Sequence, residues 1–179
     1  MIYLIKKNKY TKNHRGFSLI ELMIVVTILS LMVLGLVTFF SGGARSWISG
    51  QSQLKAQREA RMAMDSMVKE IREGKKVENG SVDSVTISYP TAPAFSGKEP
   101  VTFKLINGQI LRNNVNILID NIPGGGLTFV YFDNEENEIA DPTKASKLGI
   151  KLEVDVDGDK KPDIVIETEV NLRNYGLTG

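Results

Sequence analysis

The chain has no cysteine among its 179 residues and a single histidine, His14. The first absence excludes disulfides, thiolate nucleophiles, cysteine-ligated zinc and c-type haem attachment. The second confines imidazole chemistry to one position near the N-terminus. If His14 lies outside the working domain, that domain also lacks the usual general base and the commonest metal ligand. Tryptophan is equally scarce, with Trp47 alone. There is no internal repeat and no low-complexity tract. Acid is missing from residues 1–16, which carry Lys6, Lys7, Lys9, Lys12 and Arg15. Over the whole chain, 22 Lys+Arg balance 21 Asp+Glu and mean hydropathy is −0.09. Those averages describe a soluble globular protein and conceal a strong asymmetry along the chain.

What is present begins with a long apolar run. Residues 17–40 are 24 positions with one charge, Glu21. As a helix they reach roughly 36 Å at about 1.5 Å per residue, enough to cross the hydrocarbon core of a bilayer. The basic residues before the run place the N-terminus in the cytoplasm and the rest of the chain outside. A secretory signal peptide is the rival reading, and Ser41-Gly42-Gly43-Ala44 offers small residues where a peptidase would cut. Its apolar region should be only about 7–15 residues, and an ionisable group near its start fits poorly. A buried core helix would not be so uniformly apolar. Glu21 is the anomaly: a carboxylate costs about 2.5–3.5 kcal/mol at the centre of a span and less near its end. Two readings follow, an interfacial carboxylate that the span tolerates or one that awaits a cation from a partner.

The run Arg15-Gly16-Phe17-Ser18-Leu19-Ile20-Glu21-Leu22-Met23 resembles the type IV prepilin signature, which type II secretion pseudopilins and competence pilins share. A basic leader ending in Gly, then Phe, then an apolar stretch with Glu fifth after the Gly must all coincide, and here they do. The resemblance implies cleavage by prepilin peptidase between Gly16 and Phe17, with N-methylation of Phe17 as the new N-terminus. It implies that Glu21 pairs with the terminal amine of a neighbouring subunit and serves subunit assembly. The implied partners are other minor and major pilins or pseudopilins, the peptidase, the inner-membrane assembly platform and membrane lipid. The implied location is the bacterial inner membrane, single-pass with a cytoplasmic N-terminus, and then a pilus or pseudopilus. The leader, with His14, would be discarded. Three shorter patches, Arg61–Arg72, Leu127–Asp133 and Val170–Asn174, are similar to minor pilins of the W type and to the J-type pseudopilin. Tip pseudopilins of the K type often lack the membrane Glu and carry a large inserted domain, which this chain has no room for.

Behind the span, Ser41-Gly42-Gly43 predicts a kink or melted turn, since glycine costs about 1 kcal/mol in a helix interior. A helical pattern resumes to about Glu73, with Leu54, Met64, Met67, Val68 and Ile71 as an apolar stripe and Asp65 with Lys69 as an i,i+4 pair. Trp47 reads as an interfacial anchor and Gly74 as a helix stop. The period then changes to two. Val85, Ile87 and Tyr89 predict one strand, and Val101, Phe103 and Leu105 a second. Pro90, Pro93 and Pro100 bound the loop between them. Asn107-Gly108 predicts a hairpin turn into Gln109–Arg112. Residues 116–122, 127–132, 150–154 and 164–172 predict further strands, most with one buried and one wet face. The expected fold is α+β, a pilin-like lollipop with one long N-terminal helix packed on an antiparallel sheet. Its expected parts are a cleaved leader 1–16, a transmembrane and polymerisation helix 17–40, an amphipathic helix 41–74 and a β-rich head 75–179.

Between the last two strands, carboxylates alternate in Asp155-Val156-Asp157-Gly158-Asp159-Lys160-Lys161-Pro162-Asp163. Hard oxygen ligands at this spacing suit calcium. The loop is not an EF-hand, because Lys160 holds the place of the required Gly and Ile166 that of the terminal Glu. It resembles the calcium loops of extracellular β-propeller repeats, which implies Asp155, Asp157, Asp159 and Asp163 as ligands together with the carbonyl of Lys161. Lys160 departs from the usual Gly there and puts the tight turn in question. The bland alternative is a solvated hairpin tip. The acidic run from Asp133 to Glu138, with Asp141, reads as a solvated loop.

These features favour a structural subunit that helps initiate and assemble a filament, a minor pilin or pseudopilin. A DNA-uptake competence pilin is the alternative; the basic residues near 58–76 alternate with acids and form no nucleic-acid patch, so no nucleic-acid partner is predicted. A membrane-tethered enzyme has no motif, no catalytic residue is assigned and no cofactor is expected beyond calcium. Without the leader the balance becomes 17 basic against 21 acidic residues, an acidic exported part.

Overall fold

The computed structural model describes residues 16–91, 95 and 97–176. Residues 1–15 of the leader, with His14, and Pro93 lie outside them. A 54-residue helix, α1 (Leu19–Arg72), opens the described chain. It runs unbroken through Ser41-Gly42-Gly43, where the sequence predicted an interruption. Two glycines cost about 2 kcal/mol, whereas starting a new helix costs about 4 kcal/mol at a nucleation constant near 10⁻³. Continuation is the cheaper outcome. Residues up to Trp47 form one compact unit and Ile48–Gly179 another.

In the first unit every described residue is exposed, and α1 shows no buried stripe there. Its hydroxyls bond back onto the helix: Thr27 Oγ1 donates to the Met23 carbonyl at 2.8 Å, Ser30 Oγ to Val26 at 2.7 Å and Thr38 Oγ1 to Leu34 at 2.9 Å. An apolar solvent therefore meets few unsatisfied polar atoms along this stretch, as a span requires.

In the second unit, α1 buries Ala60, Ala63, Met64, Met67 and Ile71, spaced three or four apart. Leu54, expected in this stripe, is exposed instead. It lies six residues before Ala60, which at about 3.6 residues per turn leaves it about a third of a turn off the buried line. The expected Asp65–Lys69 ion pair is also absent; the i,i+4 pair on this helix is Lys55–Glu59 at 3.7 Å. Helix α1 stops at Arg72. A Cβ on Gly74 would lie 2.9 Å from the Ile71 carbonyl and press on Ile87, so glycine lets the chain leave the helix close to the sheet.

Among the described residues eight strands follow: β1 (Lys76–Gly80), β2 (Ser84–Ser88), β3 (Val101–Ile106), β4 (Gln109–Arg112), β5 (Asn116–Ile119), β6 (Leu127–Phe132), β7 (Lys147–Val154) and β8 (Ile164–Asn171). They form two antiparallel meanders, β1-β2-β3-β4-β5 and β6-β7-β8. The α+β class matches the sequence reading, with two sheets where one was expected. The sequence reading also passed over β1, whose only buried residue is Val77 and whose pairing shifts between Val77 and Asn79. One apolar residue in a bulged strand gives no period to read. The expected strand over 116–122 ends at Ile119, because Asn121 turns to φ +58°.

Turn chemistry fixes the register. Asn107 and Gly108 have φ +52° and +76°, the two positive angles that a two-residue hairpin needs to match strand twist. Asn113 and Asn114, at φ +53° and +58°, make a second such turn, closed by the Val115 N–H on the Arg112 carbonyl at 3.2 Å. Both sheets and the helix share one core, built around Phe103, Met67, Ile71, Ile87, Leu148 and Leu152. Each such side chain contributes about 1.5–3 kcal/mol on burial. The sheets are joined where the β1–β2 turn meets β6. There the Phe129 N–H donates to the Val82 carbonyl at 2.7 Å and the Tyr131 hydroxyl to the Ser81 carbonyl at 2.9 Å. A Cβ on Gly80 would run into that hydroxyl and into Pro142.

Candidate functional site

The N-terminal residues singled out by sequence occupy the start of α1. Gly16 and Phe17 precede the helix and are exposed, and nothing lies within 4 Å of a Cβ added to Gly16. Ser18 sits at the cap position: its carbonyl accepts the Leu22 N–H at 3.2 Å, the first bond of the helix. Glu21 is the one acid of the first turn. Ser18 and Glu21 thus have the Ser-x-x-Glu spacing of a capping box, and a carboxylate there also complements the positive end of the helix dipole. Glu21 is exposed, so the carboxylate faces whatever surrounds the rod. In a membrane that surrounding is the interface, hydrocarbon or a neighbouring chain.

The second candidate is the loop between β7 and β8. Asp155, Asp157 and Asp159 bring carboxylate oxygens within 4.8 Å of one another. Asp163 is not in that group; its Oδ2 accepts the Val156 N–H at 2.7 Å and closes the loop. Asp155 Oδ1 accepts from Gly158 N–H at 2.7 Å and Oδ2 from Lys160 N–H at 2.8 Å. Asp159 Oδ1 accepts the Lys161 N–H at 2.8 Å. Gly158 has φ +81° and Lys160 φ +68°. The tight turn therefore forms with lysine where glycine would be free of strain, at a cost of about 1–2 kcal/mol. The donor set is all oxygen, as calcium prefers. Three carboxylates converge, and the fourth serves the loop itself.

A third group holds the end of α1 to the five-stranded sheet. Arg112 Nε donates to both oxygens of Glu70, at 2.9 and 3.0 Å, and that carboxylate raises the guanidinium above its usual range. Lys98 pairs with Glu73 and lies 4.2 Å from the centre of the Tyr89 ring. The Lys98 ammonium holds the Glu73 carboxyl below its ordinary value. The Tyr89 hydroxyl is buried without a hydrogen-bond partner among the described residues, and burial with the nearby Glu70 charge pushes the phenol above its usual range. The two ion pairs join residues 42 and 25 positions apart and carry no local sequence signal. They are structural ties and hold no nucleophile aligned with a base.

Residues 11–37 match the family model described as the prokaryotic N-terminal methylation motif. No curated protein and no solved structure matches the chain. The matched stretch spans Gly16, Phe17 and Glu21 and enters the apolar half of α1, which is long and apolar enough to cross a membrane. Together they support a type IV pilin-like protein anchored in a membrane by its N-terminal helix.

Proposed function

We propose that the chain is a minor pilin or pseudopilin, a structural subunit that helps to initiate and assemble a type IV pilus or type II secretion pseudopilus. The observation that carries this reading is a coincidence at one place. The methylation motif ends within the apolar half of a long helix, and the one charge of that apolar run, Glu21, stands in the helix's first turn. Prepilin peptidase cuts after Gly16, where no neighbour crowds the backbone. Phe17 becomes the methylated N-terminus. Glu21 pairs with the terminal amine of an adjacent subunit, which relieves the cost of a carboxylate in hydrocarbon. The subunit is held in the inner membrane with its head outside and meets other pilins and the assembly platform there. Proteins with this motif are structural subunits, in keeping with the absence of cysteine and the position of His14 in the leader.

The test is a pair of substitutions. Gly16→Leu abolishes trimming in cells that hold the peptidase, read as unchanged protein size; normal trimming overturns the cleavage assignment. Glu21→Val leaves membrane insertion intact and lowers incorporation into filaments; normal incorporation returns Glu21 to a carboxylate that the span merely tolerates.

The Asp155–Asp163 loop supports a separate proposal, calcium held by Asp155, Asp157 and Asp159. Its function there is to relieve repulsion between carboxylates and fix the β7–β8 connection. Titration calorimetry of the detergent-solubilised chain reads calcium heat that Asp157→Asn removes. No heat at millimolar calcium ends the proposal.

A further inference from the structure

The outer face of the β6-β7-β8 sheet carries a groove that neither the anchor nor the acidic loop uses. Val130, Gly149 and Glu169 form one cross-strand row. Gly149 has no side chain, and a Cβ added there would stand 3.3 Å from the Phe132 ring and 3.7 Å from Val130 Cβ. The result is an open slot of about 450 Å³, with Val130 and Phe132 as one wall and Glu167 and Glu169 as the other. The acidic wall is incompletely neutralised. Lys147 serves Glu136 at 3.2 Å and Glu169 at 2.7 Å, and Lys151 serves Glu153 at 3.0 Å and Glu167 at 3.6 Å. Two lysines thus face four carboxylates.

The chemical complement lies on the same chain. Leu54, Arg58 and Met62 fall at i, i+4 and i+8 on α1 and share one helix face. All three are exposed, although Leu54 and Met62 are large apolar side chains. Charge divides in the same sense. Residues 48–76 hold seven basic and four acidic residues, and residues 77–179 hold nine basic and sixteen acidic. Three strands at about 4.8 Å spacing make a face about 10 Å wide, the width of a helix with its side chains. An apolar-basic-apolar stripe is therefore opposed, in size and charge, to an apolar and acidic groove.

We propose that the groove receives the Leu54–Arg58–Met62 face of α1 from a second copy of this chain. Arg58 meets Glu167 and Glu169, and an apolar neighbour of Arg58 seats against Val130 and Phe132 over Gly149. The inference rests on the filament-subunit reading, in which anchoring in one membrane raises the effective concentration of copies.

Sedimentation velocity of the full detergent-solubilised chain, at low and high salt, tests it. Self-association weakens with salt. Arg58→Glu lowers it by about tenfold or more, and so does the pair Glu167→Lys with Glu169→Lys. The three changes combined restore it, which a folding defect would not do. A wild type that stays monomeric overturns the proposal, including a wild type whose groove takes up a different basic subunit. Reversals that leave association unchanged, with the rod alone driving it, also overturn it, as does a combined variant that fails to recover. Leader trimming reads the filament assignment separately, so normal trimming without pairing removes this inference alone.

Discussion

Helix α1 holds two apolar regions that differ in pattern rather than in amount. From Leu19 to Phe40 nearly every side is apolar and all of it is exposed. From Ala60 to Ile71 the apolar residues other than Met62 gather on one face, and all of those but the half-buried Val68 are buried. The first cannot satisfy itself in a small folded head and requires an apolar solvent or other helices. The second has a polar back and needs only a sheet. Hydrophobicity alone does not separate them; the angular distribution does.

The sharpest way to break this comparison is to truncate one side chain in each half. Met67 is fully buried among both sheets. Met67→Ala lowers the unfolding free energy of the head by about 2–5 kcal/mol, since it leaves a cavity as well as losing contacts. Leu29→Ala, of similar size in the rod, leaves the same transition unmoved. Urea titration followed by near-ultraviolet circular dichroism reads both. A comparable loss from Leu29→Ala would show that the rod half also supports the head.

The next effect is smaller and tests what closes the two sheets around the packed half. Tyr131→Phe removes the hydrogen bond to the Ser81 carbonyl and costs about 1–3 kcal/mol in the same titration. Burial, with Asp83 nearby, holds the Tyr131 phenol above its usual range. The unfolded chain ionises at about pH 10, so the stability this phenol contributes is complete below that pH and is lost as pH rises toward the folded value. Absorbance titration should show Tyr131 and Tyr89 resisting ionisation until the head unfolds. Free titration of all five tyrosines near pH 10 would contradict the burial of both rings.

Much of this architecture was legible in the sequence because its signals are local. Period-two runs gave β2, β3, β6, β7 and β8, and Asn107-Gly108 placed a hairpin. What escaped was set by distance. Arg112 reaches Glu70 across forty-two positions, β1 exists because β2 lies beside it, and the slot over Gly149 exists because Phe132 arrives from another strand. Leu54 was misplaced because residue type was counted before helical angle. The N-terminal motif was the most legible part, since it is one contiguous segment, residues 11–37. The carboxylate loop was legible in its spacing, whereas the positive φ of Lys160 came only from three dimensions.

The smallest expected effect concerns the junction between the two halves. Gly42 and Gly43 stand inside the helix with nothing within 4 Å of an added Cβ at either. Alanine fits there without displacing an atom and removes the conformational freedom that glycine gives the unfolded segment. Gly42→Ala and Gly43→Ala should each stabilise the local helix by up to about 1 kcal/mol and slow amide exchange around residues 40–46 by severalfold. The head, whose core begins with Ala60, should melt as before. If exchange stays unchanged, the segment is already held helical by packing outside this chain. If it slows and filament assembly also falls, the glycines serve a helix that must open at the junction, and the continuity seen in the isolated chain is one of two states.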